Sequence, residues 1–287
     1  IDSPDVIRLK NKIERLGAPL KDWDIKINRG IVTGCNEAFI IDEATKNELI
    51  QKEPISKEII KSIIRGRDID RWSYLDDVQY LITTFPSLHL DIDLFPAIKD
   101  HLLKFGKEKL EQVGKNLSDG SKSRKKTGNK WFETQDQIDY YKDFQKEKII
   151  WIELSNRNRF AYSTKEDYIL AGAFLLTGKS LKYLLAFLNS KLCLFYFSLI
   201  CNSSGMATIQ WKKFALEKVP VKELPEKAQE PFIEIVDKIL AITKSADYLE
   251  NPTKKEKVKE YEKQIDEMVY KLYELTPDEI RVVESNK

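Results

Sequence analysis

The chain is poor in the residues that covalent, redox and metal chemistry draw on. It has three cysteines, Cys35, Cys193 and Cys201, and two histidines, His89 and His101. The cysteine spacing fits neither a metal-ligand pattern nor a disulfide framework, so a reducing, cytoplasmic setting is expected. With two imidazoles in unrelated settings, zinc sites and histidine-based triads are poorly supplied. Charge of one sign is also lacking: the formal net charge is +2. Any basic surface must therefore be local and balanced elsewhere. Long uninterrupted apolar runs are absent too. "LKYLLAFLNSKLCLFYFSLI" (181–200) comes nearest to a membrane span, but Lys182, Asn189, Ser190 and Lys191 interrupt it. It reads as one buried core helix, and no membrane contact is expected.

The remaining composition, 42% hydrophobic and 33% charged over 287 residues, describes a globular protein able to bury a sizeable core. The chain opens at Ile1 without methionine and starts a helix pattern at Ser3-Pro4. That is expected of a piece of a longer protein.

Nucleotide and catalytic motifs are missing as well. "GIVTGCNEAFIID" (30–42) imitates a phosphate loop. However, a Walker loop needs Gly, four residues and Gly-Lys-Ser/Thr, and here the spacing is wrong and the lysine absent. Gly30 and Gly34 supply neither the number nor the context of a dinucleotide fingerprint. No G-x-S-x-G elbow, H-E-x-x-H, Glu-x-Lys triplet or Pro-Pro dipeptide occurs. The last absence removes the Asn/Asp-Pro-Pro-Tyr/Phe motif with which amino-methyltransferases hold a flipped base. Asp24-Ile25-Lys26 is a weak nuclease match. No catalytic and no metal-ligating residue is assigned, and no cofactor is expected in this fragment.

Periodicity divides the chain near residue 222. Residues 3–16 predict a helix with Ser3 as cap and Gly17 as stop. "WDIKI" and "EAFII" read as strands, with helical pieces from Glu43 and from Ser56. "VQYLITTF" (78–85) reads as a strand and 94–113 as a helix weakened by Gly106. A long polar loop follows to Lys130. "KEKIIWIEL", "RFAYS" and "DYILAGAFLLTG" predict further strands around the turn "SNRN". After Pro225, Phe232, Ile235, Ile239 and Ile242 keep a 3–4–3 spacing, and Val258, Tyr261, Ile265, Met268 and Leu272 keep 3–4–3–4. Two such seams predict an antiparallel helical hairpin. "TPDE" (276–279) adds a capping box for a short last helix. The expected fold is α+β: a mixed-sheet body over 1–222 followed by a helical tail over 223–287.

The most directional charge lies in "SKSRKKTGNKWFETQ" (121–135). Lys122, Arg124, Lys125, Lys126 and Lys130 occur there with no acid before Trp131. Such a loop suits phosphates, or it is a solvated surface loop. Trp131, Glu133 and Gln135 can stack, accept from cytosine or clamp adenine. In "IIRGRDIDRW" (63–72), Arg65, Arg67 and Arg71 either fork onto guanine or pair with Asp68 and Asp70 to brace the turn. "NRNR" (156–159), with Arg157, and "NSSG" (202–205) are hydrogen-bonding loops of the same two-sided kind. In "WKK" (211–213) the lysines could contact a backbone, with Trp211 read as core.

Taken in order, "GAPLKDWDIKINRGIVTGCNEAFIID", "IIRGRDIDRW", "KWFETQ", "LKYLLAFLNSKLCLFYF" and "WKKFALEKVPV" resemble the TaqI-type C-terminal specificity domain. That is the target recognition part of bacterial adenine methyltransferases and fused restriction–modification enzymes. The exit segment and hairpin are also similar to type I specificity subunits. The resemblance implies a module that reads double-stranded DNA while an upstream methyltransferase domain, in some members joined by a nuclease, does the chemistry. S-adenosylmethionine is implied for the parent enzyme only. By likeness, Thr33 and Asn36 belong to the opening motif, where they either touch DNA or brace the turn through hydrogen bonds to backbone. Arg65, Arg67 and Arg71 belong to an arginine-rich turn, and 122–135 to the variable DNA-facing region. The rival from another class is a protein-interaction scaffold that docks through its helical tail.

Overall fold

The computed structural model describes residues 3–75, 79–201 and 208–285. The chain begins with α1 (Pro4–Leu16), β1 (Ala18–Pro19), β2 (Ile25–Arg29), α2 (Asn36–Phe39), β3 (Ile40–Ile41) and α3 (Glu43–Lys52). Next come β4 (Ile60–Ile64), β5 (Gln79–Ile82), α4 (Pro96–Leu103), α5 (Lys107–Leu110), β6 (Lys148–Ile152) and β7 (Leu154–Ser155). Then β8 (Phe160–Ser163), β9 (Tyr168–Ile169), β10 (Ala173–Gly178), α6 (Leu181–Leu188) and α7 (Lys191–Ile200) lead to β11 (Ile209–Gln210), α8 (Lys213–Leu216) and β12 (Pro220–Val221). The tail is α9 (Glu226–Thr243), α10 (Pro252–Leu272) and α11 (Pro277–Ser285). This is the expected α+β class, with several small sheets, one of them mixed, and a helical C-terminal region.

Side-chain alternation along one antiparallel sheet, ordered β2-β10-β6-β8, places the cores. Ile149, Trp151, Phe160, Tyr162 and Leu176 point into a core shared with α1, α6, α7, α9 and α10. Their neighbours Ile150, Ala161, Ala173 and Leu175 point into a second core. Both faces are covered, which is why "KIIWI" and "FAYS" read as continuous apolar runs. The second core is closed by the sheet β3-β5-β4-β9, antiparallel except where β4 runs parallel to β9. The sheets are joined where Ile31 N–H donates to Ile169 O at 2.8 Å and Ala171 N–H to Ile31 O at 2.9 Å.

The tail forms the expected hairpin. Its seam residues Phe232, Ile239, Val258 and Ile265 are buried in the first core, against α6 and α7. The helices after residue 222 thus share one core with α1, α6 and α7. At α11 the capping box closes, with Thr276 N–H donating to Glu279 Oε2 at 2.7 Å and Glu279 N–H to Thr276 Oγ1 at 3.3 Å. Lys12 Nζ of α1 donates to the same Glu279 oxygen at 2.8 Å.

Four expected elements differ. "EAFII" is α2 followed by a two-residue strand, because Ala38 and Phe39 are both buried in succession, which a one-faced strand cannot arrange. The piece from Ser56 is a tight 3₁₀ turn running into β4, whose isoleucines fit a sheet covered on both faces. The helix at 94–113 splits at Gly106, where φ is +85°. The run 181–200 is two helices bent by 71°. Ser190 caps the second by accepting from Cys193 N–H at 3.2 Å, and the Asn189 side chain pairs with both backbone groups of Phe160. Among the described residues no single helix is long and apolar enough to cross a membrane. "NSSG" (202–205) lies outside the described residues.

Candidate functional site

The opening motif and the arginine turn meet in one open cavity of about 930 Å³. Thr33, Gly34, Asn36, Arg65 and Arg67 line it, over a floor that includes Gly66 and Gly172. Gly30 lets β2 run directly into Ile31, since a Cβ there would strike the Leu170 carbonyl. Gly34 takes φ +77°, and a Cβ on it would lie 2.9 Å from Arg124 Cδ. Thr33 is buried; its Oγ1 donates to Asn36 Oδ1 at 2.7 Å and accepts from Cys35 N–H at 3.1 Å. Thr33 therefore braces the turn, and the exposed Asn36 is the side chain the turn presents.

The three arginines of the second motif have three different surroundings. Arg65 Nε donates to Asp68 Oδ2 at 2.6 Å and Nη1 to Gln79 Oε1 at 3.3 Å, which fixes the turn. Arg67 is 72% exposed in its side chain, with Nε 3.9 Å from Asp68 Oδ1. Arg71 leaves the cavity altogether: it donates to Asn189 O, and its Nε lies 3.2 Å from Glu262 Oε1 on α10. Expected as a DNA-facing residue, Arg71 docks the helical tail instead. Arg157 pairs with Asp70 through Nη2, 2.9 Å from Oδ1 and 3.1 Å from Oδ2. Its neighbour Asn158 is buried and holds the α6–α7 junction through the carbonyls of Leu188 and Ser190.

The basic loop is organised around a buried cation. Arg124 Nε donates to Leu110 O at 2.8 Å, Nη1 to Thr33 O at 2.8 Å and Glu133 O at 2.7 Å, and Nη2 to Trp131 O at 2.6 Å. Burial lowers its pKa to about 10. A guanidinium enclosed by four carbonyls does not reach a phosphate, so Arg124 is corrected from a contact residue to a brace. Glu133 is corrected likewise: it is buried, and its Oε2 accepts from Lys130 N–H at 2.7 Å. Gln112 adds a second clamp, its amide donating to Lys130, Glu133 and Thr134 carbonyls. Lys122, Lys125, Lys126 and Lys130 remain exposed, with Trp131 and Gln135 half-buried. The loop is seated on the cavity through Gln135 N–H, which donates to Val32 O at 3.1 Å.

A second cavity, about 570 Å³, adjoins the first and shares Glu153, Ala171 and Gly172 with it. Arg29, Tyr140, Lys212, Lys213 and Phe214 belong to its lining. Burial raises the Tyr140 pKa to about 12, and its hydroxyl donates to Arg29 O at 2.8 Å. The lysines of "WKK" are legible in the sequence as candidate contacts; Arg29, Tyr140 and Phe214 are not. Trp211 is core, stacked on Phe197 with ring centroids 4.0 Å apart. An apolar residue directly after "WKK" is a weak signal, because nothing local tells a buried phenylalanine from an exposed one. Among the described residues no cluster of three or more His, Cys, Asp or Glu is placed to hold a metal ion.

No curated protein matches the chain. Among the solved structures similar to it in fold are two restriction enzymes. One is the Type IIL restriction-modification enzyme MmeI, determined in complex with DNA. It matches at a TM-score of 0.59 and 15% identity, over 92% of this chain and 34% of that one. The other is the type IIG restriction endonuclease BpuSI, at a TM-score of 0.50 and 14% identity, over 94% of this chain and 33% of that one. The chain thus spans about a third of the length of either enzyme. The model of one protein family, the TaqI-like C-terminal specificity domain, matches residues 61–221, from the first residues of β4 to the end of β12. That match covers more than half of the chain, which therefore belongs to the family of TaqI-like C-terminal specificity domains.

Proposed function

We propose that this chain is a sequence-specific reader of duplex DNA, the target recognition module of a restriction–modification enzyme whose chemistry lies elsewhere in the parent protein. The observation that carries the reading is the meeting of Asn36 and the exposed Arg67 in one open cavity, beside a loop with four exposed lysines. Both readers stand on turns held by buried braces, Thr33 and Arg124 on one side and the Arg65–Asp68 pair on the other. Base reading needs such rigidity, because a bidentate fork discriminates only when its geometry is fixed. In this reading Arg67 forks onto guanine O6 and N7, Asn36 onto adenine N6 and N7, and Lys122, Lys125, Lys126 and Lys130 hold phosphates. Trp131 and Gln135 flank that surface.

The parent is inferred to be a cytoplasmic adenine-specific methyltransferase, with or without an endonuclease domain. S-adenosylmethionine would be held there and not here. The Gly30–Gly34 turn opens only the four-residue α2, and Arg124 occupies the space beside Gly34. The scaffold alternative relies on an available apolar seam on the tail, and that seam is packed on the protein's own α6 and α7. The packing favours the DNA reading.

The test is binding of the full chain to mixed-sequence duplexes over a salt series, followed by selection from a randomised duplex pool. Binding that weakens with salt, together with a recovered consensus, supports the proposal. No binding at low salt, with stable association to another protein, would give the scaffold reading precedence.

A further inference from the structure

Phe214 is 63% exposed, and Leu154, on the neighbouring wall of the same groove, is 52% exposed. Other large exposed apolar side chains, such as Leu94 and Leu249, line neither cavity and are of the scattered kind every protein surface carries. Phe214 is different in its setting. It follows Lys212 and Lys213 in sequence, and all three line the cavity that continues the Asn36–Arg67 cavity across Gly172. Along the two cavities stand Arg29, Arg65, Arg67, Lys212 and Lys213, with Glu37 and Glu153 as the carboxylates. Glu37 pairs with Lys109 at 2.9 Å, and Glu153 lies 3.7 Å from Lys212. Arg65 is paired with Asp68, and Arg29 and Lys213 lie 3.5 Å and 3.8 Å from Asp136 and Glu217, which leaves the exposed Arg67 as the groove's least compensated cation. An apolar ring in a groove lined by more cations than carboxylates suits a polyanion that also presents an apolar group. Duplex DNA fits that description, through the thymine C5-methyl on the major-groove edge.

Resting on the DNA-reading function above, we propose that the groove from Arg67 to Phe214 is a continuous base-reading surface and that Phe214 is a specificity-determining residue, contacting a thymine methyl. Lys212 and Lys213 place the adjoining phosphates. Gly172, at φ +94°, keeps the ridge between the two cavities free of a side chain. Phe214 lies in the first turn of α8, which is anchored by the buried Ala215 and Leu216, so its ring is positioned by a packed segment.

The experiment compares full-length wild-type protein with Phe214→Ala and Phe214→Leu by selection from a randomised duplex pool. It then replaces each thymine of the wild-type consensus duplex by deoxyuridine, which removes only the methyl. Wild type should bind one such deoxyuridine duplex about fourfold more weakly, the factor expected for one buried methyl-sized group. Phe214→Ala should show no difference at that position and should lose its thymine preference, with the salt slope unchanged. Phe214→Leu should keep part of the preference. If wild type selects a consensus and Phe214→Ala selects the same one, this inference falls while the DNA-reading function stands. A uniform loss of affinity over all sequences also overturns it. If wild type binds no duplex, both fall together.

Discussion

The indole Nε1–H of Trp72 donates to Glu262 Oε1 at 2.7 Å, tying the arginine turn to α10 across 190 residues of sequence. Trp72 sits at φ +71°, which a bulky side chain rarely adopts, and its own N–H is held by Phe160 O at 2.9 Å. Arg71 Nε lies 3.2 Å from the same Glu262 oxygen. One carboxylate on the tail thereby fixes both residues at the end of the arginine turn. Replacing it by alanine removes a charge-assisted bond and leaves the Arg71 guanidinium short of its counter-charge. Glu262→Ala should therefore cost about 2–4 kcal/mol in denaturant unfolding, and Glu262→Gln less, since the amide oxygen still accepts from Trp72. A cost below about 0.5 kcal/mol, the level of an ordinary surface change, would show that the bond does not dock the tail.

Arg65 and Arg67 flank Gly66 symmetrically in sequence but have opposite settings in the structure, so their variants should separate. Arg67→Ala should relax base preference at one position and cost about 1–3 kcal/mol in binding to the selected duplex, with folding stability unchanged. Arg65→Ala should lower stability instead, because Asp68 is buried and would be left without this partner. Equal losses on every sequence for Arg67→Ala would place it on a phosphate.

The lysines of the loop predict salt dependence, and its arginine predicts stability. Neutralising Lys122, Lys125, Lys126 and Lys130 together should flatten the log–log salt slope by roughly 0.9 for each phosphate that is no longer neutralised. Arg124→Met should leave four carbonyls in the loop's interior without their donor and cost about 3 kcal/mol or more. Arg124→Lys should rescue little, because an ammonium cannot span the fork that reaches Leu110, Thr33, Glu133 and Trp131. A binding defect for Arg124→Met in a protein of undiminished stability would contradict the brace assignment.

How much of this is legible in the sequence follows from how local each signal is. The hairpin seams and the Thr276–Glu279 box are short-range patterns, and the structure carries both. The break at Asn189-Ser190 is written in the two polar residues, yet it acts through a distant backbone, that of Phe160, and the surrounding apolarity suggests one helix. Arg124 looks like its lysine neighbours because four carbonyls from separate parts of the chain, none of them identifiable from residue type, make it different. Arg71 is ambiguous until Glu262, on another element, supplies the partner. Phe214 is legible only once the fold shows which side of α8 the core occupies.

Asp266 sets a pH dependence with a definite sign. It is buried on α10, and its Oδ1 accepts from Lys191 N–H at 2.8 Å at the start of α7. Burial raises its pKa from 3.8 to about 6. The Lys191 N–H, Arg71 and the Lys191 ammonium oppose the rise, and Glu262 adds to it. The folded state therefore holds this proton more tightly than the unfolded chain does. Its contribution to stability is complete below about pH 4 and is lost as pH rises through about 6. Asp266→Asn keeps an oxygen for Lys191 N–H but carries no charge to desolvate. The variant should be more stable than wild type above about pH 6, by on the order of 2–3 kcal/mol, and the gap should close toward about pH 4. Urea midpoints measured at about pH 4.5, about pH 6 and about pH 8 test this, since they bracket the titration. A gap that stays constant across that range would mean that Asp266 does not titrate between the folded and unfolded states.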